Sequence, residues 1–153
     1  MTFDTTHGTR GKRQPAGRLF RLVNALVARR ARTRPRAMGM DVVVLRTVGR
    51  KSGEERVTPV AWFPDQGDSV LVVASAAGAP KHPAWFLNMA AAPDRVSMER
   101  AGRGRTPVDV EQLHGEERER AWARIVAASP GFAGYETATD RLLPVVRLTP
   151  RTA

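Results

Sequence analysis

Three short apolar segments, each rich in β-branched residues, lie close together along the chain and constrain its fold more than any other feature. They cover residues 41–49, 56–64 and 69–75 and read DVVVLRTVG, RVTPVAWFP and SVLVVAS. Runs of this kind between Gly, Pro, Asp and charged residues predict β-strands. The connections between them are too short to contain a crossover helix, so we expect antiparallel pairing.

The rest of the chain predicts helices beside this sheet and further strands within it. Periodicity and turn residues give a helix at 17–30, a helix at 83–91, a hairpin within 92–113, a helix at 115–129, a short helix within 130–141 and a strand at 143–150. The helix at 115–129 should bury Trp122, Ile125 and Val126. Five or six antiparallel strands with a few helices predict an α+β barrel.

Basic residues are concentrated at the start of the chain. The formal net charge is +10, and residues 1–36 contain Lys12 and nine arginines against one acid, Asp4. The remainder is nearly neutral, whereas a nucleic-acid-binding domain would spread its bases over a groove or helix face, so we predict no nucleic-acid partner. The chain then divides into a disordered basic arm (1–16), an amphipathic helix (17–36) and one barrel domain (37–153).

The helix within 17–36 has two interpretations. Its apolar face, Phe20, Val23, Leu26 and Val27, could pack on the barrel, or it could insert into an anionic membrane surface with its arginines at the headgroups. The sequence has no apolar run near 18 residues and no signal-peptide core, which predicts a cytoplasmic protein. The second interpretation adds a peripheral position on the inner face of the membrane.

Several kinds of site are excluded by residue type and spacing. The chain has no Cys, so disulfides and thiolate metal ligands are absent. The three histidines, at positions 7, 82 and 114, do not follow a metal-binding spacing. We therefore predict no metal site.

The loop within TVGRKSGEERVTP (47–59) is a candidate anion site. Positive φ angles at Gly49 and Gly53 could turn successive backbone N–H groups inward to form an anion nest. Side chains that could meet phosphate or carboxylate are Arg50, Lys51, Ser52 and Arg56. The same composition also suits an ordinary solvated turn between two strands.

A second loop, in VVASAAGAPKHPAWFLNM (72–89), combines small residues with a helix start. Small side chains leave room for a flat ligand beside the backbone, and the free N–H groups of a helix start favour an anion. Trp85, Phe86 and Asn88 would add aromatic surface and an amide. The alternative is a plain entry into a helix, with Trp85 in the core.

Together the stretches TVGRKSGEERVTP, VVASAAGAPKHPAWFLN and SPGFAGYETATDRLLPVVRLTP resemble the three signature stretches of the deazaflavin (coenzyme F420)-dependent nitroreductase family. The resemblance runs from about Asp41 to Pro150. It implies a split β-barrel, similar to flavin-binding pyridoxamine-phosphate-oxidase-like proteins. It also implies an oxidoreductase in which reduced F420 donates hydride to an electron-poor acceptor such as a quinone, an enone or a nitro compound.

The resemblance also implies which positions hold the cofactor. The phosphate and oligoglutamate tail would lie on the first loop and the following strand, at Arg50, Lys51, Ser52, Arg56, Val57, Thr58, Pro59, Val60 and Ala61. The ring would lie against Val73, Ala74, Ser75 and Ala76. The helix start would complete the pocket with Ala84, Trp85, Phe86, Leu87 and Asn88.

The resemblance also implies which residues face the substrate. Relatives place tyrosines where this chain has Ser129, Phe132 and Tyr135, so one phenol remains, and Phe cannot hydrogen-bond a nitro group. We expect Tyr135 or water to protonate the reduced acceptor and Ser75 or backbone N–H groups to stabilise its developing charge. The open alternatives are FMN as cofactor and a non-catalytic carrier of F420, FMN or haem. A homodimer is a further expectation from related barrels.

Overall fold

The computed structural model describes residues 3–11, 18–31, 36–37 and 40–151, and these residues form an antiparallel sheet flanked by helices. The helices are α1 (Arg18–Ala31), α2 (Ala84–Ala91), α3 (Gly115–Ala128) and α4 (Gly131–Ala138). The strands are β1 (Arg36–Ala37), β2 (Met40–Val48), β3 (Glu55–Ala61), β4 (Phe63–Pro64), β5 (Val70–Val73), β6 (Ser97–Arg100), β7 (Gly104–Gln112) and β8 (Val145–Pro150).

These elements confirm the α+β prediction, with two local differences. The segment predicted as one strand over 56–64 is divided into β3 and β4 at Trp62, whose N–H donates to the carbonyl of Asp41. The short strand β1, which pairs with the start of β2, has no apolar pattern in the sequence and was not predicted.

The sheet curls into a half-open barrel. Its strand order is β1-β2-β6-β7-β8-β5-β4. Strand β3 lies outside this path and pairs with β2 on the edge opposite β6. Although β3 and β5 are far apart in this order, they come into contact. The curled face encloses a core to which β2, β5, β6, β7, β8 and α2 all contribute, with Leu45, Phe86 and Met89 among its fully buried side chains.

A second core lies on the outer side of the sheet under α3 and α4. It contains Leu71, Leu113, Trp122, Ile125 and Phe132. Trp122 and Ile125 are buried as the helical periodicity predicted, and Val126 packs at the margin. This core attaches both helices to the back of β5 and β8.

Both candidate loops leave the same end of the barrel. All pairings are antiparallel, so the carboxyl ends of β2 and β5 and the amino end of β8 lie at one end of the sheet. The loop 49–54, the segment 74–83 and the residues 139–144 are therefore neighbours. The topology thus brings together stretches that are distant in sequence.

The prediction of a disordered arm over 1–16 is wrong for residues 3–11. The ring of Phe3 meets that of Phe86 edge-on at 5.8 Å between centroids. The N–H groups of Thr9 and Arg10 both donate to the carboxylate of Asp140. Neutral polar residues can be ordered in this way when tertiary partners satisfy their backbone groups. The rest of the arm, residues 1–2 and 12–16, lies outside the described residues.

Helix α1 packs on the sheet through Ala28, which is not part of the apolar face that the sequence left with two interpretations; of that face, Val27 is half-buried. Ala28 is buried against Val42 and Val44, whereas Leu22 and Leu26 are 58% and 54% exposed. Val23 is exposed too, and the side chain of Phe20 lies outside the described set. Small Ala28 allows close approach to the strands, and Leu22, Val23 and Leu26 remain exposed. Residues 32–35 lie outside the described part of the chain.

No helix in the described ranges is long and apolar enough to cross a bilayer.

The carboxylate of Asp140 should be what orders residues 3–11. In Asp140→Ala, the Thr9 and Arg10 amides lose charge-assisted acceptors, and we expect their hydrogen exchange to accelerate by about tenfold or more. Exchange would be measured by mass spectrometry on the peptide covering residues 3–11. Glu136→Ala, an exposed acid on the neighbouring helix α4, is the control and should leave exchange unchanged. Equal exchange in both variants would contradict the assignment.

Candidate functional site at the loop end of the barrel

The first loop is a compact turn held by its own backbone. Gly49 N–H donates to Glu54 C=O at 2.7 Å, and Gly53 N–H donates to Gly49 C=O at 2.8 Å. Gly53 has φ of +73°, as its predicted role requires, but Gly49 is outside the left-handed region. A Cβ at Gly49 would lie 2.6 Å from Ser52 Oγ. Close packing, and not a positive φ, therefore demands glycine at position 49.

The predicted anion nest is largely occupied by the protein itself. Besides the two glycine N–H groups, Glu54 N–H donates to Ser52 Oγ, and Arg50 N–H donates to Asn88 Oδ1 at 3.1 Å. Four amides of the turn are thus satisfied internally. An anion at this loop would meet side chains more than backbone N–H groups.

The side chains of the loop do present unneutralised positive charge. Arg50 and Lys51 are exposed, and neither forms an ion pair within the described part of the chain. Arg56 lies behind them, with its guanidinium 3.2 Å from Ser52 Oγ and 3.6 Å from a Glu54 carboxylate oxygen. Three cationic groups within seven residues favour a ligand with several anionic groups.

Asn88 connects the first loop to α2. It is buried, and its Oδ1 accepts from the backbone N–H of Arg50 and, at 3.4 Å, from the Arg50 guanidinium. The oxygen of this predicted ligand amide is therefore engaged by the protein. Trp85 and Phe86 are buried in the barrel core. Of the two interpretations offered for Trp85, the core one is correct.

The second loop has an unusual backbone. Ala76 and Ala77 both have positive φ, 46° and 53°, and Gly78 follows at 81°. A left-handed conformation costs an L-residue such as alanine about 1–2 kcal/mol, so surrounding contacts must impose this shape. Gly78 is required here also because a Cβ would lie 2.9 Å from Ala138 Cβ and 3.2 Å from Tyr135 C=O. That contact places the backbone at Tyr135 directly beside the loop.

Arg141 supplies the contacts that impose this shape, and sequence reasoning missed it. Its guanidinium is buried and donates to the carbonyls of Ala74, Ser75 and Ala79 at 2.7–3.0 Å. Burial lowers the pKa of Arg141 to about 10, which leaves it positively charged at neutral pH. The only feature of the sequence that could have indicated Arg141 is its position next to Asp140, in a stretch without an obvious helix or strand pattern.

His82 joins Arg141 to the N-terminal segment. Its Nδ1 lies 2.8 Å from Arg141 Nη1, and its Nε2 lies 2.8 Å from the carbonyl of Thr6. Arginine can only donate, so Nδ1 accepts and Nε2–H donates to Thr6. Burial, followed by the charge of Arg141, lowers the pKa of His82 to about 4. The ring is therefore neutral above that pH.

The remaining predicted site residues differ in accessibility. Val57 to Ala61 on β3 are half-buried, and so are Ser75, Ala76, Leu87, Ser129 and Tyr135. Val73 and Ala74 are buried and Ala84 is exposed. Phe132 is buried, with its ring against Phe63, Trp122 and Tyr135, so it belongs to the outer core instead of facing a ligand.

Two cavities mark the opposite ends of the barrel. One of about 150 Å³ lies at the loop end and is lined by residues that include Thr6, His82 and Arg141. The other, of about 210 Å³, lies at the far end beside Arg100 and Arg103. Neither is lined by Arg50, Lys51 or Ser52. The side chains of Arg50, Lys51 and Ser52 are exposed to solvent.

A half-open antiparallel barrel with a cationic loop and a small-residue loop at one end defines a split-barrel fold class that includes a solved F420H2-dependent reductase. The solved structure of F420-H2 dependent reductase FDR-A shares this fold, with a TM-score of 0.62 and 39% identity over 76% of this chain and 95% of that chain. A structure described as a domain-swapped dimer has a TM-score of 0.63 and 34% identity, covering 85% and 96% of the two chains. Campylobacter jejuni ChuZ, at 16% identity and a TM-score of 0.54, shares the fold alone.

Within this class, the sequence profile of the F420H2-dependent quinone reductase family matches residues 19–150. Mycobacterium tuberculosis Rv1261c, described as an F420H2-dependent quinone reductase, is 34% identical over 71% of this chain and 73% of its own length. Rv3178 of the same organism, described as a candidate for that activity, is 36% identical over 73% and 92%. The chain belongs to the F420H2-dependent quinone reductase family.

Family membership confirms the predicted resemblance, the enzyme class and the cofactor. The protein is an oxidoreductase that transfers a hydride from reduced deazaflavin to a quinone-type acceptor. F420H2 is the cofactor, so FMN and the non-catalytic carrier are set aside.

The lowered pKa of His82 should make stability fall in weak acid. The unfolded chain takes up this proton near pH 6.5, but the folded protein does so only near pH 4. Stability is therefore lost as the pH falls through this window, by as much as about 3 kcal/mol. Urea unfolding at several pH values measures the slope. The groups that face His82 are Arg141, His7 and Asp4, and the lowered pKa of Asp4 confines its own titration to more acidic pH.

His82→Gln should flatten the slope of stability between pH 6.5 and pH 4, because the replacement does not titrate. His114→Gln, which changes an exposed histidine, should retain it. If His82→Gln keeps the full slope, the neutral buried ring is not its source.

Proposed function

We propose that the loop end of the barrel is the site of hydride transfer. The observation that carries this proposal is a pair of exposed cations, Arg50 and Lys51, that have no acidic partner among the described residues and lie beside a small-residue segment at the same end of the sheet. The two cations suit an anionic tail, and the small-residue segment suits a planar ring. The Arg50–Asn88 hydrogen bond supports it by holding the first loop against α2.

The chemistry of these residues fits the deazaflavin cofactor. Its phosphate and oligoglutamate carboxylates would be held by Arg50, Lys51, Ser52 and Arg56, with Val57 to Ala61 of β3 lining the path. At the base of the loop, Thr47 Oγ1 is buried and has no hydrogen-bond partner in the described structure. An unpaired buried hydroxyl carries a free-energy cost unless a partner is supplied, which is a second reason to expect a polar ligand here.

The ring would lie against Val73 to Ala76, near Ala84 and Leu87. Bound there, the reduced cofactor supplies the hydride, and the protein supplies orientation. The Ser75 hydroxyl and nearby N–H groups would stabilise the negative charge that develops on the acceptor. Tyr135, or water, would then donate the proton that completes the hydroquinone. No buried acid–base pair is found among these residues, so proximity would provide most of the acceleration, up to about 7–11 kcal/mol.

Removing the two exposed cations should weaken cofactor binding more than turnover. For Arg50→Ala/Lys51→Ala we expect the dissociation constant for F420 to rise by at least about tenfold, because two charge-assisted contacts are lost. The rate at saturating cofactor, with menadione as acceptor, should stay within about threefold. F420 fluorescence titration and the absorbance of its oxidised form give the two quantities.

The matched control is Arg103→Ala, which removes a comparably exposed cation at the opposite end of the barrel. It should bind F420 like the wild type. An unchanged affinity in the double variant would reject the first loop as the tail site, and absence of turnover with several quinones would reject the site as a whole.

We propose that helix α1 has an anionic membrane surface as its partner and rests on it. Its outward face carries Leu22, Val23 and Leu26, and the same segment contains four arginines but no acid. This combination favours the headgroup region of anionic lipids. A lipid-soluble quinone would then reach the site from the membrane. Such a position would place the protein on the inner face, consistent with a cytoplasmic location.

Flotation with vesicles containing anionic phospholipid tests this surface. Leu22→Ser/Leu26→Ser should reduce the floated fraction by about tenfold, because two apolar side chains leave the lipid. Leu142→Ser, a third leucine that is 56% exposed elsewhere, is the control and should float like the wild type. If the wild type and both variants float equally, α1 is not the anchor.

The same outward face could instead contact a second copy of the chain. The relative solved as a domain-swapped dimer supports a homodimer as the alternative occupant. Light scattering on the wild type and the Leu22→Ser/Leu26→Ser variant separates the two. A change in mass without a change in flotation favours the dimer.

A further inference from the structure

Arg141 is held by four acceptors that all lie around one short segment. Its Nε donates to Ala79 C=O at 3.0 Å, its Nη1 to Ala74 C=O and to His82 Nδ1 at 2.8 Å each, and its Nη2 to Ser75 C=O at 2.7 Å. Its exposed fraction is only 4%. No carboxylate in the described structure pairs with it, and the neighbouring Asp140 is turned toward Thr9 and Arg10. The guanidinium is therefore held by three backbone carbonyls and one imidazole nitrogen.

These carbonyls lie on both sides of the strained alanines. Ala74 and Ser75 precede the positive-φ pair Ala76–Ala77, and Ala79 follows it. Two internal bonds, from Gly78 N–H to Ser75 C=O and from Ala79 N–H to Ala76 C=O, complete the turn. A turn that alanine would not adopt alone is thus held at both ends by one rigid, planar cation.

We propose that Arg141 is a positioning residue for the reaction. It fixes segment 74–79 in the shape that receives the deazaflavin ring, although it does not itself touch the cofactor. The inference rests on the proposed function, which places the ring against Val73 to Ala76. Residues 3–11 contribute through His82, because the Thr6 carbonyl sets the tautomer whose Nδ1 accepts from Arg141.

Arg118 offers a matched comparison. It is also 4% exposed, but its guanidinium donates to one carbonyl, that of Leu143, and to Glu119, and it stacks on Trp122 in the outer core. It fixes no segment that is proposed to contact the cofactor. Its replacement therefore reports what loss of a buried arginine does to stability alone.

The experiment compares Arg141→Lys with Arg118→Lys. Lysine keeps the charge but cannot bridge three carbonyls with a planar fork. In the apo protein, hydrogen exchange at Gly78 and Ala79 should accelerate by at least tenfold in Arg141→Lys alone. The F420 dissociation constant should rise about tenfold, and kcat at saturating cofactor should fall, in Arg141→Lys alone. The midpoint temperature of thermal unfolding should be lowered in both variants.

A chemical rescue separates positioning from general damage. Arg141→Ala should regain F420 affinity when guanidinium is added at millimolar, non-denaturing concentration, while Arg118→Ala should bind F420 equally with and without it. If Arg141→Ala does not fold, the comparison of Arg141→Lys with Arg118→Lys tests the proposal. The proposal is overturned if Arg141→Lys binds and turns over like the wild type, or if both lysine variants lose affinity equally.

Failure of this inference can be told apart from failure of the proposed site. If Arg50→Ala/Lys51→Ala loses affinity while both Arg141 variants bind normally, only the positioning role is overturned. If the cation variant also binds normally, the cofactor lies elsewhere.

Discussion

The antiparallel hydrogen bonding of the curled sheet is the constraint on which the rest of the structure depends. With every strand antiparallel to its neighbours, connections emerge at only two ends, and the chain returns repeatedly to the same one. The loop after β2, the segment after β5 and the residues before β8 meet there. The site is therefore a consequence of the pairing order, since no single stretch of sequence contains it.

Polar links convert this proximity into a defined arrangement. Asn88 holds the first loop through the N–H of Arg50, and Arg141 holds the second through three carbonyls. Both side chains are buried, so each bond is made where an unpaired group would be costly. The exposed cations of the first loop and Ala77 of the second can then face solvent without the backbone beneath them relaxing.

Much of the fold, and the exposed charge of the first candidate loop, could be predicted for identifiable reasons. Strands such as β2 and β8 carry dense β-branched runs, and α3 carries helical periodicity, so their local signals agree with their tertiary environment. Arg50, Lys51 and Ser52 were recognisable because charged and polar groups on a short turn are exposed in almost any fold. The burial of Phe132 and Asn88 was not predictable, because an aromatic ring or an amide serves a core as readily as a ligand site.

The sequence by itself determined the α+β class, the cationic turn and, by resemblance, the deazaflavin family, because these follow from composition and order along the chain. Only the tertiary structure decided that residues 3–11 have defined partners, that α1 leaves Leu22 and Leu26 exposed and that Arg141 donates to carbonyls more than sixty residues away. Those features arise from contacts between distant segments. A local pattern cannot contain them, because burial and hydrogen-bond geometry exist only once the chain is folded.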